Sequence, residues 1–422
     1  MNLLKLPYGI HQLEFDLPFR FDLFDQAEFH PPAGPDSLIQ NALCNPLDTP
    51  WENLSYTPRT VAISINDKTR PVPYALLLPP LLDWLSHFGI SDGNIKLFIA
   101  TGTHSPATSE EIEKIIPSSI LNQSNIQVYS HDCDDKDNLK FLGITQRGTP
   151  VWANKHFYES DLRIVTGNIE PHHFMGFSGG AKSAAIGLAG RETINHNHAM
   201  LDHPHAIMGE YEHNPMRQDV EEIGRMMDIH LAFNLILNAN REIIAALFGS
   251  PIQVMQKGIQ ISCELWAVKP TGLYDLVIAS PGGYPKDINL YQAQKAISHA
   301  ALFAKEGGVI ILTAACPEGI GSPKALQFAE QLSTPDEAIK LFKSMDFTIG
   351  PHKAYQLALQ AKRNKIFLVS EIDDDVVTKF FLQPAKTLQH ALHLAKEFLP
   401  KDFRTVVLPH ATALFPKFAS RE

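Results

Sequence analysis

Short apolar runs that each end in a polar or glycine-rich turn constrain this chain more than any other feature. Val61-Ala62-Ile63-Ser64-Ile65, Ile95 to Ala100 and Leu162 to Thr166 are too short for helices and too continuously apolar for strands with one wet face, so they read as buried strands. Each runs into a reactive turn: Asn66-Asp67-Lys68-Thr69-Arg70, Thr101-Gly102-Thr103-His104, and the segment that begins at Gly167. Helical patterns separate them, one over Tyr74 to Phe88 and one from Thr108, where Thr108-Ser109-Glu110-Glu111 fits a capping box. Ile126 to Tyr129 adds a shorter strand. Alternation of this kind predicts the α/β class, with mostly parallel, doubly wound, Rossmann-like sheets.

At 422 residues the chain exceeds what one core supports, and two domains are expected. The strand pattern restarts near Gly272 with Asp275-Leu276-Val277-Ile278-Ala279, which enters Ser280-Pro281-Gly282-Gly283 and then a long helix from about Asp287. Further strands are predicted at 309–313, 366–369 and 405–408. The boundary is placed near 270, giving a cofactor- and metal-binding catalytic domain over 1–270 and an α/β domain over 271–422 that contributes substrate-binding residues. Residues 1–59, rich in Pro, Phe and Asp, predict a short strand pair with extended covering segments. Asn214-Pro215 opens a helix whose Met216, Val220, Ile223 and Met227 mark a core face, and 229–237 with 242–248 predict a β-hairpin. Ligands bind at the carboxyl ends of strands in open α/β sheets, so candidate residues on both sides of 270 predict an active site in the interdomain cleft.

The formal net charge of −10 and the absence of a Lys/Arg run argue against a nucleic-acid partner. Cys44, Cys133, Cys263 and Cys316 are far apart, form no CxxC pair and read as reduced thiols. No apolar run reaches the ~18 residues of a membrane span, and the start lacks the pattern of a secretory signal. A cytoplasmic enzyme or binding protein with no membrane partner is the expectation.

The densest chemistry lies in GNIEPHHFMGFSGGAKSAAIGLAGRETINHNH, from Gly167 to His198. Ser178-Gly179-Gly180-Ala181-Lys182 differs from a P-loop, which requires Gly immediately before the lysine. Two readings of the turn remain: glycines that free backbone amides for a cofactor phosphate beside Lys182, or a glycine turn with a surface lysine. His196 and His198 could ligate a metal, but no spacing here supplies a three-ligand zinc set. His104 and His172 follow different strands and can face one crevice, with His173 as the alternative to His172; two imidazoles on opposite faces of a substrate carbon suit inversion at a stereocentre. Gln292 and Lys295 share a helix face, where they either meet a carboxylate or are solvated. Arg70 is a second anion-binding candidate, with bidentate geometry.

Taken in order, NDKTRPVP at 66–73, TGTH at 101–104, GNIEPHHFMGFSGGAKS at 167–183, NHNH at 195–198 and SPGGYPKDINLYQAQKA at 280–296 resemble the nickel-dependent lactate racemase family. The resemblance covers most of the chain. It implies a nickel-pincer nucleotide, a pyridinium mononucleotide whose two thiocarbonyl sulfurs grip nickel, made by dedicated cofactor-biosynthesis enzymes. By the same resemblance Lys182 carries this cofactor through a covalent thioamide, His198 ligates nickel, and His104 and His172 are the acid/base pair. Arg70, Gln292 and Lys295 orient the substrate, and Asp67 belongs to the cofactor-side loop. His173 departs from the family pattern, where an aromatic is expected. His172 and His198 are preferred over His173 and His196 because their spacing to Lys182 matches that pattern.

The activity so implied is racemisation or epimerisation of a 2-hydroxy acid by hydride abstraction to the cofactor through a 2-keto acid. Two alternatives belong to other classes: a metal-dependent hydrolase built on His172, His196 and His198, and a non-catalytic nucleotide- or metal-binding protein.

Overall fold

The computed structural model describes residues 3–26, 29–48, 57–70, 72–122, 125–238, 240–345 and 350–417. It divides into two compact units, Glu28–Leu265 and a second formed by Trp266–Glu422 together with Met1–Ala27. The first 27 residues, assigned from sequence to the N-terminal domain, therefore belong to the C-terminal unit. The correction has a packing origin. The predicted N-terminal strand pair exists, Leu4–Tyr8 against His11–Phe15, but Leu6, Phe15 and Leu17 join the core formed by Leu276, Ile278, Val309, Ile311 and Val407. Asp22–Leu23 then adds a parallel edge strand to the sheet of that unit. Extended segments without helical or strand period give no sign of which distant core they will cover.

In the unit Glu28–Leu265 the six-stranded sheet runs, in space, Gln127–Ser130, Ile95–Ala100, Val61–Asn66, Leu162–Asn168, Leu231–Leu237, Ile243–Gly249. Numbered along the chain this is 3-2-1-4-5-6, a Rossmann-like order. All pairings are parallel except the last, the predicted hairpin, whose turn residue Ala239 lies outside the described residues. The central strands are buried on both faces, which is why they read as continuous apolar runs. Thr108 caps the helix Ser109–Ile115 in the predicted capping box, and Asn214 caps Pro215–Met226, with Met216, Val220, Ile223 and Met227 fully buried. The order reverses between Val61–Asn66 and Leu162–Asn168. Chains leaving those two strands depart in opposite directions, opening a crevice at their carboxyl ends.

The other unit holds a wholly parallel sheet in the order Gln383–Ala385, Lys365–Val369, Ala304–Thr313, Tyr274–Ala279, Thr405–Leu408, Asp22–Leu23. The helix expected from about Asp287 begins at Leu290, because Asn289 accepts from Gln292 N and fixes the N-cap two residues later. It runs to Ala300 and carries Gln292 and Lys295.

Candidate active site

The strand Val61–Asn66 delivers Asp67 and Arg70 to the switch-point crevice, and the strand Leu162–Asn168 delivers Glu170 and His172. Asp67 forms a tight side-chain turn: its Oδ1 accepts from Thr69 N at 3.1 Å and Thr69 Oγ1 at 2.6 Å. That leaves Oδ2 for His104, whose Nδ1 lies 2.7 Å away. Burial pushes the Asp67 carboxyl up, but the bonds from His104 and Thr69 outweigh it and hold the group below the usual carboxylate range. The result is an ionised carboxylate that fixes the His104 ring by Nδ1 and leaves Nε2 to its surroundings.

His172 sits in a two-residue antiparallel ladder, Pro171–His172 against Gly176–Phe177, and is 5% exposed. Arg70 places a guanidinium nitrogen 3.2 Å from its Nε2 and also lies 3.8 Å from a Glu170 oxygen. A guanidinium only donates, so this contact requires Nε2 to be the unprotonated, accepting nitrogen and Nδ1 to carry the proton. Met175 N–H, which also only donates, reaches Nδ1 at 3.3 Å, and that bond belongs to the other tautomer, with Nδ1 accepting and the proton on Nε2. His173 stacks on His172 at 4.7 Å, and the Phe174 ring stands edge-on between His172 and His198, at 4.7 and 5.4 Å.

Lys182 opens a single helical turn, Lys182–Ala185. Although its side chain keeps some accessible surface, burial holds its amine well below the ordinary lysine range, reinforced by the positive charges of Arg70 and Arg217. His198 lies on the helix Arg191–Ala199; burial, then the charges of Lys182 and Arg70, bring its imidazole down to about 3. His198 is therefore neutral near pH 7, and the Lys182 amine is biased toward its neutral form. A neutral amine is a nucleophile and a neutral imidazole is a metal ligand. His196, nearly on the opposite side of the helix at roughly 160° from His198, is exposed and instead meets Thr149 Oγ1 at 3.0 Å through Nδ1.

The turn before Lys182 departs from expectation in its purpose. Gly179 and Gly180 have φ of +84° and +57°, and a Cβ would lie 2.5 Å from Ile169 Cγ1 and 2.4 Å from Met255 Cγ respectively. The glycines thus serve left-handed backbone and tight internal packing. The expectation that they free amides for a phosphate is corrected at Gly180, whose N–H is already given to Asn234 Oδ1 at 2.8 Å. Ser178 is likewise engaged: its Oγ donates to Asn168 O at 2.9 Å and its N–H to Glu170 O at 2.8 Å.

Two residues that sequence reasoning passed over support this turn. Arg217, fully buried, donates to Phe177 O at 3.1 Å, to Gly179 O at 3.1 and 3.2 Å, and from Nε to Glu221 Oε1 at 2.8 Å. The only sequence sign was the i, i+4 spacing of Arg217 and Glu221, shared by many solvated helix faces. Asn234 gave none, being a polar residue inside an apolar strand.

The three-histidine site of the hydrolase alternative does not form. Among the described residues the one group of three potential metal donors brought together is Asp132, Cys133 and Asp134, remote from His172, His196 and His198 in the chain. A metal at His198 would need its remaining donors from a non-protein group, and one neutral imidazole with a lysine amine biased toward its neutral form is a set that fits a lysine-tethered, sulfur-donating cofactor. In the other unit Lys295 Nζ donates to Gln292 Oε1 at 2.7 Å, so the predicted pair shares one face and both side chains are half-buried.

Comparison with known proteins decides the family. Residues 8–209 match the lactate racemase N-terminal domain and residues 270–415 the lactate racemase C-terminal domain. The chain belongs to the lactate racemase family. A lactate racemase of Thermoanaerobacterium thermosaccharolyticum is 31% identical over 97% of this chain and 98% of its own length. One from Lactiplantibacillus plantarum is 30% identical over 93% of each. The solved structure of the lactate racemase apoprotein from T. thermosaccharolyticum superposes with a TM-score of 0.90 at 29% identity, covering 99% of this chain and 100% of that one. A Thermotoga maritima protein at 16% identity and TM-score 0.65 shares the fold. By its family the chain is an isomerase of the racemase class. Among the described residues no helix is long and apolar enough to cross a membrane.

Proposed function

We propose that the chain racemises or epimerises a 2-hydroxy acid, lactate or a close relative, through a planar 2-keto acid, with His104 and His172 as the two acid/base groups. The observation that carries this reading is the convergence, at one switch-point crevice, of two differently anchored imidazoles with Lys182, its amine biased toward the neutral form, and a neutral His198. When bound, a nickel-pincer nucleotide supplies the two-electron chemistry at Cα that no side chain here can supply. Lys182 would hold it covalently, His198 would ligate its nickel, and Asp67, Ser178, Gly179 and Gly180 would shape its surroundings, with the amides of Ser178 and Gly180 already given to Glu170 O and Asn234 Oδ1.

His104 accepts the substrate hydroxyl proton at Nε2, and Asp67 stabilises the imidazolium so formed through Nδ1. His172 accepts at Nε2 for the opposite hand of substrate. Arg70 must then leave that nitrogen and turn to the substrate, where its fork suits a carboxylate or the developing carbonyl oxygen. Gln292 and Lys295 orient the carboxylate. The other histidine, which enters that turnover protonated at Nε2, gives its proton to the product oxygen, so the inverted product forms with no net oxidation and the two histidines exchange protonation states. Enzymes that make and attach the cofactor are the expected partners.

The test is intact mass together with chiral chromatography. Protein produced alongside the cofactor-making enzymes should carry an adduct mapped to Lys182 and should equilibrate a single enantiomer of lactate or a related acid. Lys182→Ala and Lys182→Arg should fold, lack the adduct and be inactive. Full activity in either variant would end the tether assignment, and bound zinc without an adduct would favour hydrolysis.

A further inference from the structure

The helix Arg191–Ala199 presents His198 from its last turn, yet apolar packing holds that turn weakly. Of its nine residues only Thr193, Ile194 and Asn197 are buried, and Ile194 alone of these is a large apolar side chain. Helices this short take their stability from tertiary contacts, and here those contacts are polar. Asn197, fully buried, donates from Nδ2 to Met216 O at 3.0 Å and to Asp219 Oδ2 at 2.9 Å. Both amide protons are thereby used on atoms that only accept, which fixes the carboxamide orientation and leaves Oδ1 buried without a donor. A buried acceptor left unpaired costs stability, so Asn197 serves for its donors rather than for a satisfied core.

Those donors meet a hub. Asp219, on the helix Pro215–Met226, is fully buried; its Oδ1 accepts from Thr145 Oγ1 at 2.7 Å, and its Oδ2 from Thr149 Oγ1 at 2.9 Å as well as from Asn197. Thr145 and Thr149 close the turn between the paired strands Leu139–Ile144 and Pro150–Asn154, where Thr145 N donates to Thr149 O at 2.9 Å. A carboxylate only accepts, so the single hydroxyl proton of Thr149 goes to Asp219, and the His196 Nδ1 lying 3.0 Å from the same hydroxyl oxygen is the protonated nitrogen. Asp219 thus reaches the two residues before His198 by separate routes, Asn197 directly and His196 through Thr149. The hydroxyl and amide groups that donate to it are all neutral. A buried charge compensated in this way is a weak source of stability, and its best-attested use is to fix one register of packed elements.

We propose that Asp219 is a positioning residue for His198: through Asn197 and Thr149 it fixes the helical turn that presents this imidazole to nickel. The proposal rests on the reading above that His198 ligates the nickel of a cofactor tethered to Lys182. Metal ligands keep their orientation through the groups that support them, and a turn free to shift would lower the fraction of chains with the imidazole in place.

The experiment titrates the cofactor-loaded enzyme with EDTA and reads bound nickel by elemental analysis, while intact mass follows the adduct on Lys182; neither readout needs turnover. Asn197→Ala and Asp219→Asn should each lower nickel affinity roughly 10- to 100-fold, the range for removing a group that supports a metal ligand, with the adduct retained. Thr149→Val should shift affinity in the same direction, and Thr149→Ser, which restores the hydroxyl, should match the wild type. The deciding comparison is made in a His198→Ala background, where Asn197→Ala should change nickel affinity no further, since a residue that acts only through His198 is silent without it. If Asp219→Asn does not fold, the Asn197 and Thr149 variants decide. Wild-type affinity in Asn197→Ala or in a folded Asp219→Asn, equal losses with and without His198, or Thr149→Ser behaving as Thr149→Val would overturn the proposal. A wild type without the adduct, or a His198→Ala variant that holds nickel as tightly as the wild type, would instead remove the reading on which it rests.

Discussion

Asp67 Oδ2 accepts from His104 Nδ1 at 2.7 Å, while Oδ1 is occupied by the backbone and hydroxyl of Thr69. The carboxylate is thus oriented by its own turn before it orients the imidazole. Asp67→Asn keeps the shape but removes the charge that stabilises the imidazolium and permits the wrong tautomer. It should lower kcat about 10²- to 10⁴-fold, the range expected for general-base loss, with a smaller change in KM. Steady-state racemisation kinetics check this, and a variant retaining half of wild-type kcat would show that the pair is only structural.

The two histidines should separate by substrate hand. His104→Ala and His172→Ala should each abolish racemisation, losing about 10²- to 10⁴-fold, because inversion needs proton transfer on both faces. Each should still form enzyme-bound keto acid from one enantiomer, detected by rapid quench, and the two variants should prefer opposite enantiomers. Equal response of both variants to both enantiomers, or inactivity in His173→Ala rather than His172→Ala, would refute the two-base assignment.

Arg217 offers a test of the turn that presents Lys182. Arg217→Met leaves Glu221 buried and unpaired, which should destabilise the protein by about 3–5 kcal/mol in denaturant unfolding. Arg217→Met with Glu221→Leu should recover most of that stability, since neither charge is then stranded. Activity should stay low in the double variant, because the carbonyls of Phe177 and Gly179 have lost their donor. Full activity there would mean that the turn holds its shape without Arg217.

Stability should fall on mild acidification. His198 is held to about 3, and His230 and His299 to about 4, each by burial first. Between these values and the ordinary histidine pKa of about 6.5 the unfolded chain binds more protons than the folded one, so stability is complete above that pH and declines below it. His299, almost wholly buried, contributes on the order of 3 kcal/mol over this window. Unfolding free energies measured from pH 7 to pH 4 should show the decline, and His299→Asn should flatten it. A flat profile in the wild type would contradict the depressed values.

The sequence by itself determined the α/β class, the central strands of both sheets, two helix starts and the position of the polar and glycine-rich loops at strand ends. Those features are local: a strand buried on both faces must be apolar throughout, Thr108 and Asn214 satisfy orphan amides within three residues, and the polar loops follow strand ends. Tertiary structure decided what depends on distant partners. It moved the first 27 residues into the C-terminal unit, because Leu6 and Phe15 find their burial there and nothing in their own pattern names that core. It separated His196 from His198, since residues two apart on a helix point to different neighbours. It turned Gly179 and Gly180 inward against Ile169 and Met255, and it buried the guanidinium of Arg217. A buried cation looks like a solvated one in sequence, because burial is a property of everything packed around it.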